Sequence, residues 1–286
     1  MKTPVFLRTS LAAGTLGSLG LAFASSASAV TLLDETFAPD QRLVQNLPTT
    51  AAWYMSSASN VSDSTGALVS ASNRHAVAYF TDAGSPLTLD IGDKLEVSFT
   101  FSVIPPAEGT STILRLGLLN SGGNRVTGDN SNFENAIFDN YVGYGTFLNH
   151  ATASAGSIRE RNGGISGKLI NGADAWTTTA NNVGTGAAFV ANQSYSASLT
   201  LSRSVSGVTI SFSVAGLPGY SFSHTDGDTP FTTFDTFVFF GSPSVGGYTL
   251  DDVVITYTPV PEPSSAAASA GLAVIGCALL RRRRSR

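Results

Sequence analysis

The chain has 286 residues and a formal net charge of −4, and only 13% of its residues are charged. Seven of its 16 lysines and arginines lie within the first eight and the last six residues, so the middle of the chain is strongly acidic. An acidic body argues against a nucleic-acid-binding protein, which needs a basic face for phosphates, and the single cysteine, Cys277, excludes a disulfide framework.

The N-terminal end has the three parts of a secretory signal peptide. Residues 1–8 contain two basic residues, residues 11–23 are apolar and small, and Ala27 and Ala29 form an A-x-A cleavage pattern. We therefore predict a signal helix within residues 1–29, removed after Ala29 when the chain is exported.

Residues 30–258 show the period of β-strands and no convincing helix. Apolar and polar residues alternate at 95–103, 195–201 and 208–214, and residues 204–207 read as the turn of a hairpin between the last two. Further strands are predicted at 76–81, 87–91, 113–119, 141–148, 234–240 and 248–257. Short alternating strands predict an all-β ectodomain, in which two antiparallel sheets pack as a sandwich.

One long stretch, 158–183, lacks this alternation, and we predict a loop there, where sandwiches commonly bind ligands. An exposed aromatic ring can stack on the C–H face of a sugar while amides and carboxylates bond its hydroxyls. Trp176, with Asn171 and Asp174 before it, and Trp53 are therefore candidate glycan-binding residues. The alternative for both tryptophans is a place in the core.

The residue patterns of common hydrolases are missing from the chain. Glycoside hydrolysis needs two carboxylates at a defined separation, and the adjacent Asp251 and Asp252 would point to opposite faces of a strand. No G-x-S-x-G sequence is present. His75, His150 and His224 lack a second ligand at metal spacing, and we expect them at the surface or at strand edges. The sequence favours a protein that is not an enzyme.

Three parts follow one another at the C-terminal end. They are the motif Val260, Pro261, Glu262, Pro263, then the apolar run 264–280, then the basic cluster Arg281, Arg282, Arg283, Arg284 and Arg286. The run of 17 residues would be about 25 Å long as a helix. We predict a membrane anchor whose arginines stay in the cytoplasm while the ectodomain faces outward.

This tail, residues 259–286, resembles the PEP-CTERM sorting signal of Gram-negative bacteria in its motif, apolar run and basic end. The resemblance implies recognition by an exosortase-type transpeptidase, cleavage near Pro-Glu-Pro, and transfer to the cell surface or the extracellular matrix. It also implies an association with exopolysaccharide production. A plain C-terminal membrane anchor is the alternative.

The two ends of the ectodomain, residues 33–37 and 248–255, resemble the paired terminal strands of jelly-roll and concanavalin-like carbohydrate-binding sandwiches. In some of those modules an early acidic residue and an aspartate of the final strand hold a structural calcium. The resemblance implies Glu35 and Asp251 as the ligands, and calcium needs further oxygen ligands beside them. No other cofactor is expected.

Three functions remain open from the sequence. The first is a non-enzymatic surface protein that binds extracellular polysaccharide through the sandwich. The second is a structural or adhesive protein without a sugar ligand, which a flat surface without a groove would favour. The third is a polysaccharide hydrolase or lyase with an unrecognised site, which a cleft lined by two carboxylates would favour.

Overall fold

The computed structural model of the protein describes residues 28–59, 61–107, 112–130, 135–150, 154–164, 169–170 and 175–260. The predicted membrane helix at 264–280 and the predicted signal helix up to residue 27 lie outside them. Within these ranges, no helix is both long and apolar enough to cross a membrane.

The described residues form seventeen strands and one short 3₁₀ turn, Ala136–Phe138. The strands are β1 Val30–Glu35, β2 Trp53–Met55, β3 Val61–Ser62, β4 Leu68–Ala71, β5 Arg74–Tyr79, β6 Leu87–Thr88, β7 Lys94–Ala107, β8 Thr112–Asn120, β9 Val142–Asn149, β10 Gly156–Arg161, β11 Trp176–Val183, β12 Tyr195–Ser204, β13 Gly207–Val214, β14 Leu217–Asp226, β15 Thr233–Phe234, β16 Thr236–Gly241 and β17 Val245–Thr258.

Two antiparallel sheets account for nearly all of these strands. One has eight strands in the order β14-β13-β12-β7-β17-β4-β3, with β1 also paired to β17. The other has seven in the order β11-β10-β9-β8-β16-β5-β2, and β15 pairs with β6 in a separate ribbon. The predicted all-β, two-sheet antiparallel sandwich is confirmed.

The main core lies between the two sheets and follows the alternation of the sequence. On β7 the residues Leu95, Val97, Phe99 and Phe101 are buried, while the polar residues between them are partly exposed. Phe99 contacts Phe237 and Phe239 of the facing sheet at ring-centroid distances of 5.9 and 5.7 Å. Burial of one such side chain contributes roughly 1.5–3 kcal/mol, so this layer supplies most of the driving force.

A second, smaller core covers the outer face of the seven-stranded sheet. Its members are Val77, Tyr79, Leu119, Val126, Phe138, Tyr141, Phe147, Leu169, Ile170, Ala175, Trp176, Val238 and Phe240. As a result all six residues of β16 are buried, and the strand reads as a continuous apolar run. The seven-stranded sheet is therefore covered on both faces, whereas no other described segment covers the outer face of the eight-stranded sheet.

The structure contradicts the loop predicted at 158–183 and the surface positions expected for two of the histidines. The expected loop at 158–183 contains most of β10 and all of β11, because β11 is an edge strand with few apolar residues to mark it. His75 is fully buried and His150 is 8% exposed, so neither is a surface residue. The predicted hairpin at 204–207 is confirmed, since Ser204 pairs with Gly207.

Candidate functional site

The open outer face of the eight-stranded sheet is lined by hydroxyl groups. We call it the hydroxyl face and define it by Ser98, Thr100, Ser196, Ser198, Thr200, Ser202, Thr209, Ser211, Ser213, Ser221, Ser223 and Thr225. These residues alternate with the inward residues of β7, β12, β13 and β14, because successive side chains of a strand point to opposite faces.

The register of the strands arranges the hydroxyl groups in rows. Thr200 lies opposite Ser211, and Ser211 lies opposite Ser223, so three hydroxyls follow one line across β12, β13 and β14. The next row contains Ser198 and Ser213. Neighbours are about 4.8 Å apart across the strands and about 7 Å apart along them. The face is therefore a two-dimensional lattice of hydroxyl groups.

A shallow depression of about 330 Å³ lies on this lattice. It is lined by Ser198, Thr200, Ser211, Phe212, Ser213, Ser221, Phe222 and Ser223. Ser198 and Ser213 share a hydrogen bond of 3.1 Å. Within the described ranges the hydroxyls of Thr200, Ser211 and Ser223 bond no protein group, so they are available to a ligand as donors and acceptors.

The hydroxyl face carries little charge. Lys94 and Glu96 form an ion pair of 2.6 Å at its β7 side and neutralise each other. Asp251 lies farther along β17, where burial raises the pKa of its carboxyl although the hydrogen bond from Asp252 N–H lowers it in part. A polyanion would find no cationic row on this part of the sheet, whereas a neutral ligand meets no penalty for desolvating charges.

A second cluster joins the edges of the two sheets. Burial raises the pKa of Glu160 on β10, and the negative charges of Asp226 and Asp228 raise it further. The Tyr144 hydroxyl donates to Asp226 Oδ2 at 2.6 Å, and Asp228 N–H donates to Asp226 Oδ1 at 3.2 Å. Asp226 thus has a protein donor on both oxygens and closes a turn. It is not poised as one of two catalytic carboxylates beside a water-filled cleft.

Both predicted sugar platforms are buried, so the prediction that Trp53 and Trp176 bind glycan is wrong. Trp53 is fully buried and its ring packs on Phe37 and Phe237 at 5.1 and 6.0 Å. Trp176 is 3% exposed, and its Nε1–H donates to the Leu169 carbonyl at 3.1 Å. Neither ring can offer a face to a ligand.

Glycines make the room that Trp176 occupies. A Cβ atom added to Gly145 would stand 2.8 Å from the Trp176 ring, and one added to Gly117 would stand 3.4 Å from it. The ring also packs on Phe147 at 5.3 Å. The two polar residues expected beside this tryptophan, Asn171 and Asp174, lie outside the described residues.

Glu35 has a structural role in place of the expected calcium site. Its Oε2 accepts hydrogen bonds from the Thr50 hydroxyl at 2.6 Å, from Ala51 N–H at 3.0 Å and from Trp53 Nε1–H at 3.1 Å. Its Oε1 accepts from Phe37 N–H at 2.9 Å. These donors direct their hydrogens at the carboxylate, so a cation there would meet positive partial charges.

Asp251 completes no metal site with Glu35. In the β1–β17 ladder Glu35 lies opposite Val253, and Asp251 accepts the N–H of Asp252 beside a bulge of β17. In the part of the chain that the structure describes, no group of three or more histidine, cysteine, aspartate or glutamate residues could hold a metal ion.

Sequence reasoning missed the hydroxyl face, although its signal was present. Serine or threonine occupies every second position at 196–202, 209–213 and 221–225. Such alternation was interpreted only as the wet side of each strand. Three adjacent strands with the same pattern indicate a surface that is lined by hydroxyl groups and not by charged groups.

The chain leaves the sandwich at the start of the C-terminal motif. Val260 N–H donates to Asp93 Oδ1 at 2.9 Å, whereas Pro261, Glu262, Pro263 and the arginine cluster lie outside the described residues.

No curated protein is similar in sequence.

Among solved structures, the chain is similar to the metal-free carbohydrate recognition domain of Emp46p, with 13% identity, a TM-score of 0.48, and coverage of 81% of this chain and 97% of that one. It is also similar to the exoplasmic/lumenal domain of VIP36 in its Ca²⁺/Man₃GlcNAc-bound form, with 12% identity, a TM-score of 0.46, and coverage of 81% and 89%. Residues 259–284 match the PEP-CTERM protein-sorting motif, and the chain therefore carries a PEP-CTERM sorting region behind a β-sandwich ectodomain.

Proposed function

We propose that this chain is an exported, surface-sorted, non-enzymatic protein that associates with the extracellular polysaccharide matrix. The observation that carries the proposal is the lattice of hydroxyl groups around Thr200, Ser211 and Ser223 with its shallow depression. The PEP-CTERM sorting region supports export and anchoring through the C-terminal end. The partners are an exosortase-type transpeptidase during sorting and a polysaccharide afterwards.

The chemistry of the hydroxyl face favours a neutral polymer. Each hydroxyl both donates and accepts, as the hydroxyls of a sugar do, so the two surfaces can exchange hydrogen bonds in either direction. One such bond contributes only about 0.5–1.5 kcal/mol, and useful affinity therefore needs several rows engaged by one chain. Because charged groups contribute little, binding should change little with salt.

A structural or adhesive role without a sugar ligand is the second candidate. The observation that favours it is the shape of the hydroxyl face, whose depression is shallow and lined mainly by small serine and threonine side chains. The enzyme alternative has less support, since the Asp226 carboxylate of the second cluster is held by Tyr144 and Asp228.

Affinity chromatography with product analysis tests the proposal. Residues 27–260 form a compact unit, and we would pass residues 30–260 over immobilised extracellular polysaccharide of the host. Retention without released reducing ends or unsaturated products is expected. Released product would establish an enzyme, and free passage would favour the structural role.

A matched pair of variants locates the contact. The triple variant Thr200→Ala, Ser211→Ala, Ser223→Ala removes one row of hydroxyls without adding bulk or charge, and we expect it to lose most of the retention. Thr178→Ala removes an exposed hydroxyl from β11 of the other sheet and should be retained like the parent. Equal retention of both variants would show that the polysaccharide does not bind through the hydroxyl face.

A further inference from the structure

The point at which the chain leaves the ectodomain is fastened by a buried carboxylate. Asp93, 3% exposed, accepts Val260 N–H on Oδ1 at 2.9 Å and the Tyr257 hydroxyl on Oδ2 at 2.6 Å. Its Oδ2 also accepts Asp90 N–H at 2.8 Å, which closes the turn before β7. The first residue of the C-terminal motif is therefore held by the sandwich and is not part of a free linker.

Val260 also packs against this turn through its side chain. Gly92 has a φ of +99°, and a Cβ atom there would come within 2.8 Å of Val260 Cγ2. Gly92 N–H donates to the Arg203 carbonyl at 2.8 Å, and Arg203 N–H donates to the Asp93 carbonyl at 2.9 Å. The turn before β7, the end of β12 and the last described residue thus meet at one end of the sandwich.

This end exposes three aliphatic side chains. Ile91 at the tip of the turn is 58% exposed, Val205 at the tip of the β12–β13 hairpin is 88% exposed, and Val260 is 48% exposed. We call these three residues the exit patch. Among the large hydrophobic side chains of the described residues, Val205 is the most exposed.

The distance from the exit patch to the motif is short. Pro261–Pro263 begins at the residue after Val260, and three residues span at most about 11 Å when fully extended. An enzyme that encloses this motif in its active site must therefore come into contact with the surface around Val260. No intervening sequence would allow it to stay away from the sandwich.

We propose that the exit patch is a docking surface for the membrane-bound transpeptidase that reads Pro-Glu-Pro, an inference that rests on the proposed sorting. The partner surface is apolar, to match three aliphatic side chains without a formal charge. Asp93 is a positioning residue, since it holds Val260 against Gly92, the residue after Ile91, at the point where the motif begins.

Photo-crosslinking in the full chain tests the contact. We would replace Val205 by p-benzoylphenylalanine and express the chain with the host transpeptidase. The matched control is Val190, which is 58% exposed and lies just before β12, at the opposite end of that strand from Val205. An adduct with the transpeptidase from position 205 and none from 190 is expected. Adducts with lipid alone, no adduct, or equal adducts at both positions would overturn the proposal.

Processing rates give an independent readout. In pulse-chase labelling, Ile91→Ser with Val205→Ser should slow conversion of the precursor about three- to tenfold, as expected when the burial of about one or two methyl groups is lost, while Val190→Ser should not. Ten Gly-Ser residues inserted between Val260 and Pro261 should also slow it, because the motif is then separated from the patch. Unchanged or faster processing of either variant would overturn the proposal.

A motif variant separates this inference from the sorting itself. Pro261→Ala with Glu262→Ala removes the recognised sequence and should leave the precursor unprocessed. If the parent chain is processed no faster than this variant, the proposed sorting is wrong and the docking surface with it. If the parent is processed and the patch variants match it, only the docking surface is wrong.

Discussion

Replacing Glu35, the last residue of β1, tests how much its buried, hydrogen-bonded carboxylate contributes to the stability of the fold. It is 2% exposed and accepts four hydrogen bonds from protein donors, three of them on Oε2. In Glu35→Gln the amide oxygen can keep the three bonds of Oε2, but the NH₂ group then faces Phe37 N–H, and two donors oppose each other. Since a bond to a charged group contributes about 1.5–3 kcal/mol, we expect a loss of about 2–3 kcal/mol.

Glu35→Ala removes all four bonds and leaves the Trp53 indole N–H buried without an acceptor. We expect a loss of about 4–5 kcal/mol, a large part of the stability of a typical domain. Urea unfolding followed by tryptophan fluorescence measures both variants. The control is Glu96→Gln, which removes only a partly exposed ion pair with Lys94 and should cost at most about 0.5 kcal/mol.

The result that would refute this reasoning is a Glu35→Gln variant within the error of the parent protein. Calcium provides a second check on the same residue. Because the oxygens of Glu35 are taken by N–H and O–H donors, chelation by EDTA should leave the unfolding midpoint unchanged. A calcium-dependent midpoint in the parent that disappears in Glu35→Ala would show that Glu35 is a metal ligand.

Three further predictions follow from other buried groups. For Asp93, burial alone would raise the pKa, but the hydrogen bonds of Tyr257, Asp90 and Val260 and the charge of Arg203 lower it overall. The stabilisation by ionised Asp93 is therefore complete above the pKa of the unfolded chain and is lost as the pH falls through the lower folded pKa. In Asp93→Asn the melting temperature should depend less on pH between about pH 5 and pH 2, the range where free aspartate titrates. For Glu160 the pKa is raised in the folded protein, so its charged form destabilises the fold above the unfolded pKa. In thermal melts Glu160→Gln should stabilise the protein at pH 7 by less than about 1 kcal/mol, because the side chain is partly solvated. At low pH the same variant should give no gain in stability. Gly145→Ala would place a Cβ atom 2.8 Å from the Trp176 ring and 2.8 Å from the Leu116 carbonyl oxygen, so we expect a loss of about 1–3 kcal/mol in urea unfolding, whereas Gly128→Ala, with open space around it, should change little.

The sandwich could be predicted where one face of each strand is wet. The alternation at 95–103, 195–201 and 208–214 gave β7, β12 and β13, with the hairpin between the last two. The strand predicted at 234–240 is present largely as β16, although its residues are buried on both faces and do not alternate. Strand β11 was missed, because its exposed edge is mainly threonine, alanine and asparagine. Period alone cannot show which strands a second layer will cover.

The candidate site was harder to predict because its residues are ordinary one at a time. A tryptophan in a sequence is a natural candidate for a ligand platform, but it also has a large apolar surface to bury. Trp53 and Trp176 are both buried, and the indole N–H of each donates to an acceptor within the protein. Serines such as Ser211 look like generic surface until the register places them beside Thr200 and Ser223. The information lies in the pairing of distant strands.

The exit of the chain and the hydroxyl face belong to one hydrogen-bonded sheet. Thr256 of β17, four residues before Val260, lies opposite Glu96 of β7, and Glu96 lies opposite Thr200 of the hydroxyl face. A polymer bound to that face would pull on β7 and β12, while an anchored tail would pull on the end of β17. The load would then be shared by the ladder between β17 and β7, which extends from Val245–Ala107 to Thr258–Lys94 and so engages many hydrogen bonds together.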